Sequence, residues 1–97
     1  MSVKLWTVEF GSNKIRRQLE EISGEERGKE AVDAFMRFLQ RSPEDGYACF
    51  RHDPIPKGRP FHTASTAYLG IYEIDERTQT VTVIGIRSIP YATAGYD

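Results

Sequence analysis

The sequence predicts an α+β fold in the order strand, helix, helix and three strands (β-α-α-β-β-β), with the helical hairpin packed on one face of an antiparallel sheet. Two observations lead to this class. Residues 67–87 form two strand-like runs joined by a polar turn. The first run has the period of a strand, with Tyr68, Tyr72 and Ile74 on one side and Leu69, Ile71 and Glu73 on the other, and Val, Ile and Thr fill the second run. Upstream, apolar residues recur at helical spacing in two consecutive segments.

The first predicted strand covers residues 3–10, whose sequence VKLWTVEF alternates imperfectly and carries two large aromatic side chains. The first helix follows it. Ser12 or Asn13 can cap this helix, because either side chain can accept from the free backbone N–H groups of the first turn. The apolar residues of the helix share one face: Ile15, Leu19 and Ile22.

The second helix is predicted to start near Ser23, which has the spacing of a capping box with Glu26, and to end before Pro43. The short link between the helices implies that they fold back on each other. The second helix carries a continuous apolar stripe that needs a surface to lie on, and residues 67–87 supply one. The stripe consists of Ala31, Val32, Phe35, Phe38 and Leu39.

The region between the second helix and residue 67 is predicted to be mostly irregular. Residues 47–50 form a short candidate strand. Residues 53–60 contain three prolines, which exclude a helix and favour an extended, solvated loop. Residues 61–66 fit either a loop or an early start of the next strand.

Composition limits the classes of protein to consider. A chain of 97 residues with 39% hydrophobic residues suits one domain, residues 1–97, with a modest core. The single cysteine excludes an intramolecular disulfide, so a cytoplasmic location is the default. The N-terminal stretch is too short and too alternating for a signal peptide or a membrane span. A net charge of −1 gives no global reason to bind nucleic acid, so such binding would need a local patch.

Such a patch is found near the proline-rich segment, where the basic residues are opposed by Asp53 alone: Arg51, His52, Lys57, Arg59 and His62. Arginine offers a planar fork of donors and lysine a mobile point charge, so these side chains can hold phosphates. The alternative is a solvated loop whose charges supply solubility. We predict nucleic-acid contacts at Arg51, Lys57 and Arg59.

Arg87 ends the strongly apolar last strand, and Tyr91 follows it closely. An arginine that emerges on an uncovered sheet face can stabilise a negatively charged transition state, and a nearby Tyr or His can move a proton or stack on a base. The alternative is an edge cation whose stem lies on apolar surface. His62 is the better titrating group near neutral pH. The predicted catalytic residues are therefore Arg87, Tyr91 and His62.

A metal site is the third hypothesis for this region, because Cys49 and His52 have the spacing of a zinc-binding pair. Asp53 and His62 are further possible ligands. The sequence offers no second pair of similar quality, so we expect neither a metal nor another cofactor. It also contains no phosphate-binding glycine loop and no nucleophile elbow.

Four segments follow one another in an order that resembles the RelE/ParE superfamily of bacterial toxin–antitoxin systems. These segments are VEF at 8–10 before a helical hairpin, FLQRSPED at 38–45, YLGIYEID at 68–75 and VIGIR at 83–87. They cover most of the chain, and the resemblance implies a fold of one strand, two helices and an antiparallel sheet.

The ribonuclease branch of that superfamily implies an enzyme that cleaves mRNA on the ribosome without a metal and so inhibits translation. Arg87 matches the family's arginine at the end of the last strand, and Tyr91 lies near the place where a C-terminal Tyr or His acts. Lys57 and Arg59 fall in the region that supplies further phosphate contacts. The resemblance also implies a cognate antitoxin protein as partner.

The chain departs from the family pattern at Leu69, because an arginine usually follows the tyrosine at this point. The acidic net charge is a second departure. Both departures motivate an alternative function, a non-catalytic binding protein on the same fold. It would be either a ParE-type inhibitor of DNA gyrase or a toxin-like module without nuclease activity.

Overall fold

The computed structural model describes residues 4–48 and 56–88 in full, and the backbone of residues 89 and 90. A short 3-10 helix, Pro43–Asp45, follows the second of two α-helices. The helices and strands of the described residues are β1 (Thr7–Phe10), α1 (Asn13–Ser23), α2 (Gly28–Arg41), β2 (Tyr47–Ala48), β3 (Lys57–His62), β4 (Thr66–Asp75) and β5 (Thr80–Pro90).

The strands form one five-stranded sheet in the order β1-β5-β4-β3-β2. Neighbouring strands run antiparallel, as predicted, except for β1 and β5, which are parallel, so the sheet is mixed. The reason is an additional strand. The two helices return the chain to the end of the sheet at which β1 finished. Four strands then follow, each reversing the direction of the one before, so the last strand, β5, runs in the same direction as β1. With three strands after the helices, the last would run antiparallel to β1.

The additional strand β3 lies where the prolines predicted a solvated loop. Residues 57–60 of that predicted loop are strand, and they pair with residues 69–72 of β4. Pro60 is tolerated because, within the part of the chain that the structure describes, β2 pairs only with Lys57 and Gly58. Proline lacks an N–H group, and a strand edge is where that loss costs least.

The structure confirms one of the two predicted helix caps. Ser12 accepts a hydrogen bond from the backbone N–H of Ile15 at 3.4 Å. The capping box predicted at Ser23 is wrong, because the Ser23 hydroxyl donates to the Leu19 carbonyl and Ser23 belongs to α1. Helix α2 instead begins at Gly28, where a Cβ atom would come within 1.7 Å of the Ile22 carbonyl oxygen.

Both helices pack their apolar faces on the same side of the sheet, which confirms the predicted α+β class. The Phe35 ring of α2 stacks on Phe61 of β3 with centroids 4.7 Å apart. Gly70 of β4 makes this approach possible, since a Cβ atom there would lie 2.2 Å from the Phe35 ring. The buried side chains of this core are Ile15, Leu19, Ile22, Ala31, Val32, Phe35, Leu39, Phe61, Tyr72, Val81 and Val83. Neither of the described α-helices is long and apolar enough to cross a membrane.

Candidate functional site

A β-bulge in β5 decides which face of the sheet carries Arg87. Between two consecutive residues of β4 the pairing jumps from Val83 to Gly85, which leaves Ile84 as an extra residue. In a regular strand Val83 and Arg87 would share a face, because side chains alternate. The extra residue reverses that alternation. Val83 therefore lies in the core on the helix side, and Arg87 lies on the opposite face.

The sheet face opposite the helices, called the distal face, brings two predicted catalytic residues together. Leu69 of β4 lies opposite Pro60 of β3 on one side and Arg87 of β5 on the other. His62 follows Pro60 by two residues and shares its face. The described side chains that define this face are Pro60, His62, Ala67, Leu69 and Arg87.

His62 and Arg87 are both exposed on the distal face. Their Cα atoms are separated by two strand spacings of about 4.8 Å across the sheet and by two residues, at about 3.3 Å per residue, along the strands. The two offsets together place these Cα atoms about 12 Å apart. Leu69 lies between them and is half-buried, so the middle of the distal face offers an apolar contact where a third polar group could have stood.

Arg59 lies on the other side of the sheet from Arg87. It pairs with Gly70 on the helix side, and its guanidinium carbon lies 4.2 Å from the ring centroid of Phe38 in α2. Such a cation–π contact fixes the guanidinium beside the helix. The structure therefore does not bring the predicted phosphate contact Arg59 to the distal face.

Lys57 also lies away from Arg87, in strongly acidic surroundings. It pairs with the helix-side residue Tyr72. It borders an open cleft of about 820 Å³ whose other lining residues are Glu44, Glu73, Ile74, Asp75, Glu76 and Thr82. Four carboxylates beside one ammonium disfavour a phosphate, since like charges repel at this range. This setting weakens the predicted role of Lys57.

Two of the predicted site residues, Arg51 and Tyr91, lie outside the described residues, and their roles remain predictions. Cys49, His52 and Asp53 of the metal hypothesis lie outside them as well. Over residues 4–48 and 56–88, no group of three or more His, Cys, Asp and Glu side chains could hold a metal ion.

Sequence reasoning missed a hydrogen-bonded pair formed by Tyr68 and Glu25. The Tyr68 hydroxyl donates to the Glu25 carboxylate, and the Thr63 hydroxyl donates to the same carboxylate at 2.9 Å. Burial, together with the hydrogen bond and the negative charge of Glu25, raises the pKa of Tyr68 to about 12. Tyr68 is thus a firmly protonated donor that ties the link between the helices to the start of β4, and it is not poised to accept a proton at neutral pH. The partners are 43 residues apart, and no local pattern links them.

Comparisons with known proteins identify the fold. No protein-family model matches the chain, and no curated protein matches it. A chain in the crystal structure of the toxin–antitoxin complex RelBE2 from Mycobacterium tuberculosis is similar to it, with a TM-score of 0.57 and 20% sequence identity. The match covers 91% of this chain and 95% of that chain. The predicted resemblance is therefore confirmed at the level of the fold, which is RelE-like.

Proposed function

We propose that the chain is the toxin of a bacterial toxin–antitoxin system and that it cleaves mRNA on the ribosome. One observation carries the proposal: the β5 bulge places the exposed Arg87 on the same face as the exposed His62, about 12 Å away by strand geometry. The similarity to a toxin–antitoxin complex over most of both chains supports the same class of protein.

The proposed reaction is an attack of a ribose 2′-oxygen on the neighbouring phosphorus. The 2′-hydroxyl loses its proton to a base, the new P–O bond forms, and the bond to the 5′-oxygen breaks as that oxygen takes up a proton. The products are a 2′,3′-cyclic phosphate and a 5′-hydroxyl. Arg87 would donate to the phosphate oxygens as negative charge develops on them. His62 would carry out one proton transfer, because histidine exchanges protons near neutral pH. Tyr91 is the residue proposed to carry out the other proton transfer.

Two of the three proposed nucleic-acid contacts are less favourably placed than Arg87 and His62. Arg59 can reach RNA only if the strand passes around the outer edge of β3, since its guanidinium lies on the helix side over Phe38. Lys57 would have to compete with neighbouring carboxylates. Arg51 keeps its proposed role as a phosphate contact. Single alanine variants of these three residues, tested for RNA affinity, would rank their contributions.

Induced expression followed by primer extension on cellular mRNA tests the proposed reaction. The wild-type chain should stop growth and produce codon-phased cuts, and Arg87→Ala should abolish both. Arg77→Ala is the matched control, because Arg77 is an exposed arginine of the β4–β5 turn. Growth inhibition that survives Arg87→Ala would remove that residue from the proposed mechanism.

A second candidate function is a non-catalytic toxin of the ParE type that acts on DNA gyrase, or a toxin-like module without nuclease activity. Leu69 favours it, because the residue opposite Arg87 supplies no charge to a developing phosphorane. The same expression experiment separates the candidates. Trapped gyrase–DNA complexes without codon-phased cuts would support the gyrase target.

Both candidates act in the cytoplasm, where ribosomes and gyrase are found, and both require a cognate antitoxin to restrain them. We propose the protein encoded next to this chain as that partner. Co-expression of the neighbouring open reading frame should restore growth and yield a stable complex on purification. A neighbour that neither binds nor rescues would contradict this assignment.

A further inference from the structure

Tyr47 is the most exposed of the large hydrophobic residues that the structure describes, with 68% of its surface accessible. It lies in β2, directly opposite Gly58 of β3. Residues that pair directly across two strands point to the same face of a sheet, and so do residues two apart along one strand. Gly58 precedes Pro60 of the distal face by two residues, so the Tyr47 ring stands on the distal face as well.

The row of residues that continues from Tyr47 across the distal face is poor in side chains. Gly58 pairs with Ile71 of β4, and Ile71 pairs with Gly85 of β5. A side chain opposite Tyr47 would have its Cβ atom about 5 Å away and would pack against the ring. Gly58 supplies no such side chain, which agrees with the high exposure of the ring.

The end of the distal face away from Arg87 is acidic. Thr82 lies between two core residues of β5 and so points to the distal face. It pairs with Glu9 of β1 on one side and with Glu73 of β4 on the other. Both carboxylates are exposed, and they repel phosphates because like charges repel. A nucleic acid that follows β5 from Arg87 toward Thr82 would therefore meet two negative charges.

A path that crosses the strands from Arg87 to Tyr47 avoids these carboxylates. The described residues of the distal face along this path are uncharged: Gly58, Pro60, Leu69, Ile71 and Gly85. The path spans three strand spacings of about 4.8 Å across the sheet and two residues, at about 3.3 Å per residue, along the strands. The two offsets together place the Cα atoms of Tyr47 and Arg87 about 16 Å apart.

We propose that Tyr47 is a stacking platform for an mRNA base that flanks the cleaved bond, an inference that rests on the proposed function. Proteins bind unpaired RNA bases by stacking them on exposed aromatic side chains. The RNA backbone crosses the strands from Arg87, and the flanking base lies against the Tyr47 ring. Every base has a π-face, so this contact strengthens binding with little dependence on sequence. Tyr47 stands away from the reacting phosphate, so the contact positions the strand and takes no part in bond breaking.

Single-turnover cleavage on programmed ribosomes, measured over a range of concentrations of the chain, tests this role. Tyr47→Ala should raise the half-saturating concentration about tenfold, a typical effect of losing one base–aromatic stack, and should leave the limiting rate within about twofold. Tyr47→Phe and Tyr47→Trp keep an aromatic face and should restore the affinity. An abasic nucleotide, placed in turn at each position beside the cut, should weaken binding of the wild type at one position. At that position it should have no further effect on Tyr47→Ala.

Leu5→Ala is the matched control, because it also removes an exposed apolar side chain but lies beside β1, at the other edge of the sheet. It should leave the half-saturating concentration within about twofold. Thermal unfolding of each variant checks that the fold is kept. Cleavage by the wild type with an unchanged half-saturating concentration for Tyr47→Ala would overturn the stacking role and leave the proposed function standing. Equal weakening by Tyr47→Phe and Tyr47→Ala would also overturn the stacking role, because the hydroxyl and not the ring would then make the contact. No cleavage by the wild type would overturn the proposed function and the stacking role together.

Discussion

Leu69 lies directly opposite Arg87 on neighbouring strands of the distal face. Cross-strand partners have Cβ atoms about 5 Å apart, so a cation in place of Leu69 would reach the same phosphate as Arg87. The apolar side chain at this position is therefore a direct structural limit on how much negative charge the distal face can stabilise.

Leu69→Arg should increase mRNA cleavage if the proposed reaction is correct. One additional preorganised donor at a developing phosphorane is worth about a hundredfold in rate. Two arginines opposite each other should also cost about 0.2–1 kcal/mol in stability, because like charges on paired strands repel. Single-turnover cleavage on programmed ribosomes measures the first effect, and urea unfolding measures the second.

Leu69→Met is the matched control, since it keeps the apolar character and approximate volume of the side chain. It should leave both cleavage and stability nearly unchanged. A Leu69→Arg rate no faster than that of Leu69→Met would argue against phosphoryl chemistry at this face.

Deletion of Ile84 should remove the bulge and keep Ile86 and Arg87 on their present faces, because Val83 and Gly85 would then be consecutive and pair with Tyr72 and Ile71 in a regular ladder. We therefore expect the free energy of unfolding to change by less than about 1 kcal/mol. Insertion of one alanine between Gly85 and Ile86 should instead reverse the alternation beyond it, which moves Ile86 from the core to the distal face and Arg87 toward the helices. That variant should lose more than about 2 kcal/mol in the free energy of unfolding, because an apolar side chain leaves the core and a charge enters it. Equal stability of the two variants would show that the alternation beyond the bulge does not decide which face carries Arg87.

The helices could be predicted from sequence because their signals are local. The spacing of Ile15, Leu19 and Ile22 predicts a buried stripe, and all three are at most 6% exposed in the structure. The face that carries Arg87 could not be predicted, because it depends on the inserted Ile84, and apolar runs rich in Val and Ile give no sign of where an alternation breaks.

The sheet topology was beyond sequence reasoning for a related reason. Pro60 argues against a strand by its missing N–H, yet it lies in β3, because the edge position makes that loss harmless. A prediction that omits β3 contains one chain reversal fewer, so it gives the last strand the wrong direction relative to β1. The position of Arg59 could not be predicted for the same reason. Arg59 lies in a segment that was expected to be a loop, and only the side-chain alternation of β3 places its guanidinium on the helix side.

Gly70→Ala should destabilise the fold through a clash between two buried elements. The added Cβ would lie 2.2 Å from the Phe35 ring, which is 1% exposed and stacked on Phe61, so the ring cannot move away freely. Overpacking of this kind costs about 1–3 kcal/mol. The free energy of unfolding from urea titration measures it.

Gly85→Ala is the control for that substitution, since its Cβ would meet Ile71 at 3.9 Å, an ordinary contact. It should change stability by less than about 0.5 kcal/mol. In the double variant Gly70→Ala/Phe35→Leu, the smaller side chain should relieve the clash. The loss of stability in the double variant should therefore be smaller than the sum of the losses in the two single variants. Additive costs would mean that the ring is not what excludes a side chain at position 70.

Tyr68→Phe should lower stability at neutral pH and lose that effect in alkali. The native state keeps the Tyr68 proton up to about pH 12, whereas the unfolded chain releases it near the ordinary tyrosine pKa of 10.0. Between these values unfolding releases a proton, so rising pH favours unfolding of the wild type and not of the variant. The stability difference between the two proteins, measured by urea unfolding, should therefore be full below about pH 10 and shrink toward pH 12. Glu25→Gln keeps an acceptor without the charge, so in that background the decline should still begin near pH 10 but end at a lower pH than in the wild type. A difference that stays constant across this range would mean that burial and Glu25 do not hold the Tyr68 proton.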